Sequence, residues 1–209
     1  MNDHPTPTPK HSVHLIALTG AAGCGKDTAG QLLASIALAS NLDATVTGFA
    51  DPIRQMLAAI IPMEYMTDRA LKEAPVPHIG YSYRALAQTL GTDYGRVLMP
   101  GLWVRLKEAQ LYGAAAAQAP LTKPVVHIVT DVRFEDEAAW VRRHGGTLLR
   151  IHREAAVSVR EHESEWAWPH LRADAEIDNN GTLLQLRERL ALALVRTITK
   201  HNHPDRRAA

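Results

Sequence analysis

Read from the amino terminus, the first clear hydrophobic pattern is Val13-His14-Leu15-Ile16-Ala17-Leu18, a short apolar run closed by a glycine-rich stretch. That pattern predicts a buried strand. From Thr28 the period changes, and Leu32, Leu33 and Ile36 form a one-sided helical stripe. Ala44 to Phe49 is the next strand, and Asp51-Pro52 supplies a cap and a first-turn proline for a helix through Ile60. Pro62 to Gly80 is proline-rich and irregular, as an excursion over a site would be. Helices follow over Tyr83 to Leu90 and Trp103 to Tyr112, on either side of a Gly91-Thr92-Asp93-Tyr94-Gly95 turn.

The alanine-rich stretch Gly113 to Pro120 reads as a fraying helix end plus linker. Val125 to Val129 is the most hydrophobic strand and ends at Thr130-Asp131. A helix through Arg143, closed by Gly145-Gly146, leads to a strand over Thr147 to Ile151. A short strand near Ala175 to Ile177 and a helix from Thr182 to Thr197 complete the pattern. Strands alternating with helices predict an α/β fold around a mainly parallel sheet of about five strands.

Composition narrows this reading without redirecting it. A chain of 209 residues, 46% hydrophobic and 22% charged, corresponds to about one globular domain. The expected organisation is a disordered tail over 1–11, one domain over 12–200 and a flexible tail over 201–209. The net charge of +1 argues against a protein devoted to coating nucleic acid or an anionic membrane. Cys24 is the single cysteine, so no intramolecular disulfide forms and a reducing compartment fits. No run of apolar residues is long enough for a transmembrane helix. The start of the chain, with Pro5, Pro7 and Pro9, lacks the apolar core of a secretory signal. The expected location is therefore cytoplasmic.

The chemistry concentrates at Gly20-Ala21-Ala22-Gly23-Cys24-Gly25-Lys26-Asp27-Thr28, a Gly-x4-Gly-Lys motif between a predicted strand and a predicted helix. Glycines let successive backbone N–H groups curl around phosphate oxygens, the helix start adds positive potential, and Lys26 reaches the β and γ phosphates. Ala22, Gly23, Cys24, Gly25, Lys26, Asp27 and Thr28 are thus the expected ATP-phosphate ligands. Cys24 needs only to be small at its position. Asp27 stands where Ser or Thr usually holds Mg²⁺, with Thr28 next. Asp27 can serve the metal's hydration shell, orient an acceptor phosphate, or cap the helix.

Asp131 ends the most hydrophobic strand, where open α/β sheets gather ligands. With Asp27 and Thr28 it forms the candidate metal set. Arg133 is placed to meet phosphoryl charge, and Glu137, one helical turn on, to orient it through an ion pair. Glu135 and Asp136 read as solvated. Bringing two phosphorylated ligands together needs further cations. Arg54, Arg84, Arg96, Arg150, Arg153 and Arg160 are the candidates. Arg84 and Arg96 stand out because they bracket Gln88, Gly91, Thr92 and Asp93.

Taken in order, several segments resemble the deoxynucleoside monophosphate kinases of tailed bacteriophages, within the P-loop nucleoside monophosphate kinase superfamily. They are Gly25 to Thr28, Phe49 to Arg54, Arg84-x3-Gln88-x2-Gly91-Thr92-x2-Gly95-Arg96 and Trp103-Val104. Asp131-Val132-Arg133-Phe134-x2-Glu137, His162-x-Ser164-Glu165 and Asn179 to Thr182 follow. The resemblance spans about Leu15 to Leu192. It implies a three-layer P-loop fold with helical acceptor and lid segments near 51–112 and 153–170.

It also implies phosphorylation of a deoxynucleoside monophosphate by ATP with Mg²⁺. Lys26, Asp27, Asp131, Arg133 and Glu137 would be catalytic, and Asp51, Arg54, Arg84, Gln88, Gly91, Thr92, Arg96 and Trp103 would hold the acceptor. Arg153 and Asn180 would lie on the ATP side. Ala85 stands where a second basic residue is expected. The partners implied are the two nucleotides, with no stable nucleic-acid or membrane partner and with a homodimer left open. A phage-encoded chain would work in the host cytoplasm. A kinase for another small phosphorylated acceptor, such as dephospho-coenzyme A or phosphomevalonate, shares the loop. A non-catalytic nucleotide-binding module is the rival from outside the enzymes.

Overall fold

A computed structural model describes residues 13–117, 123–156 and 166–202. The two expected tails, apart from the start of the second, lie outside these residues, as do Arg160 and the His162 to Glu165 segment. By contact density the chain divides into two units, one formed by residues 1–47 and 111–209 and the other by Gly48–Gln110.

The first unit is built on five parallel strands: β1 (Val13–Thr19), β2 (Asp43–Thr47), β3 (Val125–Val129), β4 (Thr147–His152) and β5 (Ala175–Asp178). Their order across the sheet is β2-β3-β1-β4-β5, and every pairing is parallel. Strand β1 lies centrally, buried on both faces, which explains why its sequence is apolar at consecutive rather than alternate positions. On one face, Ile16, Leu18, Ile128, Leu149 and Ile151 pack with α1 (Lys26–Ala39) and α7 (Leu183–Asn202) through Leu33, Ile36, Leu186 and Leu190. On the other face lies α6 (Glu135–Arg143). A Cβ on Gly146, the residue that turns α6 into β4, would meet Val141 and Leu15 within 3 Å. Two helical layers around one parallel sheet make the three-layer P-loop architecture expected from the sequence.

The elements match the hydrophobic pattern with local differences. Strand β2 stops at Thr47, before Phe49, and α7 continues through Asn202 into the stretch read as a tail. Helix α7 begins with a reciprocal cap: Gln185 N–H donates to Thr182 Oγ1 at 3.2 Å, and Thr182 N–H donates to Gln185 Oε1 at 2.9 Å.

The second unit is helical. It holds α2 (Asp51–Ala58), α3 (Met63–Thr67), α4 (Tyr83–Gln88) and the first turns of α5 (Leu102–Ala117). Part of the irregular proline-rich segment is therefore α3. Its remainder is a tied loop, with Val76 N–H on Tyr81 O at 3.0 Å and Asp68 Oδ1 accepting from Ala70 and Leu71. The expected turn at Gly91 to Gly95 is the larger difference. Thr89–Arg96 continues α4 as a π-helix, the wide winding often found at functional sites. Its two glycines admit close neighbours: a Cβ on Gly91 would meet Ile53, and one on Gly95 would collide with the Trp103 ring. Polar residues that suggested a turn thus sit on a helix whose glycines serve packing.

Candidate active site

The loop between β1 and α1 departs from ordinary backbone geometry at its glycines. Gly20, Gly23 and Gly25 have φ of 140°, 75° and 99°, values that L side chains rarely adopt. Gly25 is the N-cap of α1 and provides no side-chain cap. Among the described residues, the backbone N–H groups of Gly23, Gly25, Asp27 and Thr28 have no hydrogen-bond partner. This is a cluster of donors at a helix start, the arrangement that binds anions.

Lys26 lies within the same loop, 8% exposed. Its Nζ donates to Gly20 O at 2.8 Å and Ala21 O at 2.7 Å, and lies 3.8 Å from Cys24 Sγ. A buried ammonium held on its own loop's carbonyls keeps the cation at the donor cluster. Cys24 is fully buried and packs in the core, consistent with a small filler. Asp27 and Thr28 are exposed at the start of α1, and neither side chain has a partner among the described residues.

Strand β3 brings Asp131 beside this loop. The β1–β3 register pairs Ala17 with Val129 last, which puts Asp131 two residues beyond the end of the paired strand. Beyond the paired residues the spacing slips by one, with Val132 N–H on Leu18 O at 3.0 Å where the strand register would put the Asp131 N–H. Thr130 N–H is tied on the other side to Thr47 O at 3.0 Å. Asp131 is therefore fixed from both neighbouring strands at the point where strand order reverses.

Just beyond, Glu137 is 3% exposed and its Oε2 accepts from Arg133 N–H at 2.8 Å and Phe134 N–H at 3.2 Å. The N-cap of α6 is Phe134, which has no acceptor, so the carboxylate three residues on satisfies the helix entrance. These two bonds hold the backbone at Arg133 and Phe134, a contact that the expected Glu137–Arg133 ion pair did not include.

The turn after β5 reaches the loop as well. Asn179 Nδ2 donates to Cys24 O at 2.8 Å. Its neighbour Asn180 accepts from Glu154 N–H at 2.8 Å and donates to Asp178 Oδ1 at 2.5 Å. The Asn180 side-chain amide holds the Asp178 carboxyl below its usual range. Partial desolvation opposes this, while the Asn180 backbone N–H, Arg189 and His152 add to the lowering. Arg153 is exposed at the end of β4 with no side-chain partner among the described residues. Arg150 is engaged differently, its guanidinium donating to Leu171 O at 2.5 Å and Pro169 O at 3.2 Å and lying 5.9 Å from the Trp168 ring.

Within the second unit, Asp51 organises the start of α2. Its Oδ2 accepts from Gly48 N–H at 2.6 Å and its Oδ1 from Arg54 at 2.6 Å, with the buried Lys107 Nζ 3.9 Å away. Asp51 is the first residue of the helix rather than its cap, which is Ala50. Arg84 is half-buried and paired with Glu73. Gln88, Thr92 and Arg96 are half-buried along α4 and the π-segment. Trp103 is 4% exposed, and its indole N–H donates to Gly91 O at 2.7 Å. The ring of Trp103, which the resemblance put among the acceptor-binding residues, is packed into the unit with Gly95 against it.

A model of the deoxynucleotide monophosphate kinase family matches residues 73–190, more than half of the chain. The chain belongs to that family. The match begins downstream of the phosphate loop, so the loop geometry is a separate observation. A protein of Acanthamoeba polyphaga mimivirus, named as a deoxynucleotide monophosphate kinase, is 29% identical over 182 residues, spanning 81% of this chain and 90% of that one. Among solved structures, an APS kinase from Mycobacterium tuberculosis in complex with AMPPNP and APS aligns at 13% identity. It covers 92% of this chain and 99% of its own, with a TM-score of 0.48. A gluconokinase from Sinorhizobium meliloti aligns at 14% identity over 93% of this chain and 100% of its own, with a TM-score of 0.45.

This deoxynucleotide monophosphate kinase family member is thus a phosphotransferase, and no helix among its described residues is long and apolar enough to cross a membrane. Its first unit gathers Gly23 to Thr28, Asp131, Arg133 and Glu137 around one end of the sheet. Two residues with defined positions were not singled out in the sequence. Asn179 was part of a turn, and its contact with residue 24 has no local signature. Lys107 did have one: it lies four residues after Trp103 on the buried stripe of α5, a spacing that puts both on one helix face.

Proposed function

We propose that this kinase transfers the γ-phosphoryl group of ATP to the 5′-phosphate of a deoxynucleoside monophosphate, giving the diphosphate and ADP. The observation that carries the donor half is the loop itself. Backbone N–H groups of Gly23, Gly25, Asp27 and Thr28 have no partner among the described residues and stand beside the Lys26 ammonium. Triphosphate oxygens supply acceptors for all of them. Lys26 then exchanges the carbonyls of Gly20 and Ala21 for β and γ oxygens.

Family membership supports the acceptor half. In this reading Arg84, released from Glu73, and Arg54 bind the acceptor phosphate. Gln88 reads the base edge, Gly91 and Thr92 border it, and Arg96 adds positive potential. Arg153 and Asn180 belong to the ATP side. Trp103 acts through its grip on Gly91 rather than as a stacking face.

The oxygen donors Asp27, Thr28 and Asp131 suit a hard divalent cation. Among the described residues no group of three His, Cys, Asp or Glu side chains could hold a metal alone. Mg²⁺ does not need such a cage, since it normally keeps waters and nucleotide phosphates as ligands. Bound there, it would neutralise phosphoryl charge. The chain's own contribution is positioning and electrostatic stabilisation, with Arg133 facing charge on the transferred group and no covalent enzyme intermediate.

A coupled assay of ADP release tests the proposal, with ATP and Mg²⁺ against dGMP, dTMP, dCMP, dAMP and their ribose counterparts. ADP formation should depend on a deoxynucleoside monophosphate. It should disappear in Lys26→Ala, and Arg84→Ala should raise the acceptor KM. ATP turnover indifferent to every nucleoside monophosphate would refute it.

A further inference from the structure

We infer that Asn179 is a positioning residue for the phosphate loop, setting the direction of the Gly25 N–H. The inference rests on reading that loop as the donor-phosphate site. Residues 24 and 179 are far apart in sequence, yet Asn179 Nδ2 donates to Cys24 O at 2.8 Å. The acceptor is a carbonyl, so the donor must be the amide nitrogen, which fixes the orientation of the side chain. Its backbone is also anchored, with Asn179 N–H on His152 O at 2.7 Å. The fit is close enough that a Cβ on Gly25 would collide with Asn179 Nδ2.

The consequence follows from peptide planarity. In a trans peptide the C=O and the following N–H point to opposite sides. Holding Cys24 O against Asn179 therefore turns the Gly25 N–H away from β5. That N–H has no partner among the described residues, like those of Gly23, Asp27 and Thr28. Gly25, at φ 99°, is in a region where rotation of the 24–25 peptide meets no Cβ barrier. Without the Asn179 amide, nothing from β5 opposes that rotation, and one phosphate donor leaves the cluster. Asn179 acts on the shape of the loop, and its effect should be the same whatever base the nucleotide carries.

The test compares wild type with Asn179→Leu, which keeps the side-chain shape but cannot donate, and with Asn179→Ala. Affinity for ATP and for inorganic tripolyphosphate is measured by calorimetry, alongside thermal midpoints and the KM values of both substrates. Loss of one charge-assisted bond to phosphate predicts about tenfold weaker binding of both ligands. The KM for ATP should rise while that for the deoxynucleoside monophosphate stays near wild type. Unchanged tripolyphosphate affinity in either folded variant overturns the inference, including the case where only ATP binding weakens and the side chain therefore serves the base. Equal increases in both KM values with a lowered thermal midpoint also overturn it, since that is a general packing role. Wild-type protein that binds neither ATP nor tripolyphosphate would instead overturn the phosphate-loop reading.

Discussion

Glu137 can be tested for what its carboxylate does, because two substitutions separate its possible roles. Its Oε2 accepts from the N–H groups of Arg133 and Phe134 at 2.8 and 3.2 Å, and the residue is 3% exposed. Glu137→Ala strands both backbone donors at the entrance to α6. Hydrogen bonds to a charged acceptor contribute about 1.5–3 kcal/mol each, and water reaching the half-buried donors recovers part of that. The expected loss is about 2–4 kcal/mol. For a chain of this size, 1 kcal/mol lowers the thermal midpoint by roughly 2–4 °C, so Ala should melt roughly 5–15 °C below wild type.

Glu137→Gln keeps an oxygen that can accept both bonds and loses only their charge assistance. About 1 kcal/mol and roughly 2–4 °C are expected. Thermal and urea unfolding of the three proteins side by side provide the measurement. If the carboxylate served chiefly as an ionic partner of the Arg133 guanidinium, Gln would be as damaging as Ala. Equal destabilisation by the two variants, or none by either, would refute the assignment of Glu137 as a backbone cap. The same series reads activity: the displaced Arg133 backbone in Ala should lower kcat, while Gln retains most of it.

Trp103→Phe removes the donor to Gly91 O and narrows the ring beside Gly95. Losing one buried hydrogen bond costs about 0.5–1.5 kcal/mol, so the urea midpoint should fall, and an unchanged midpoint would show that the indole N–H is dispensable. Asp178 gives a pH prediction. Its carboxyl is held below its usual value, so the folded state is favoured above the ordinary carboxylate range, and that contribution is lost as pH falls through the lowered value. The Asn180 amide resonance should therefore titrate at lower pH than a free aspartate would impose, and Asp178→Asn should abolish that transition.

What the sequence made legible was whatever follows from local pattern. Continuous apolar runs located β1 and β3, and the Gly-x4-Gly-Lys spacing located the phosphate loop, because a strand, a flexible turn and a helix start each leave a signature within a few residues. The π-segment was misread for a physical reason. Gly91 and Gly95 suggest a turn, but neither has a positive φ here. They are small because Ile53 and Trp103 pack against them, and no local pattern encodes that approach. The backbone role of Glu137 is hidden for a related reason: i and i+4 spacing suggests side-chain contact, while an N-cap phenylalanine leaves backbone donors that a carboxylate satisfies. Lys107 was readable from its spacing to Trp103, and its charge masked its place on the buried stripe.

The loop motif alone does not explain its own conformation. The chain around it is constrained from three strands that come much later in sequence. On the β3 side, the Val132–Leu18 rung fixes the end of β1. On the β4 side, the Ile151 carbonyl oxygen lies too close to where a Cβ on Gly20 would be, so only glycine fits at the loop's first turn. From β5, Asn179 holds the Cys24 carbonyl. These contacts depend on the β2-β3-β1-β4-β5 order, which puts β3 and β4 on either side of β1 and β5 one strand further out. A glycine-rich loop free in solution would sample many conformations and lose entropy on closing around phosphate. Here the sheet meets that cost during folding, so the donors stand oriented before any ligand arrives. The glycines permit the loop's shape, and residues more than a hundred positions away select it.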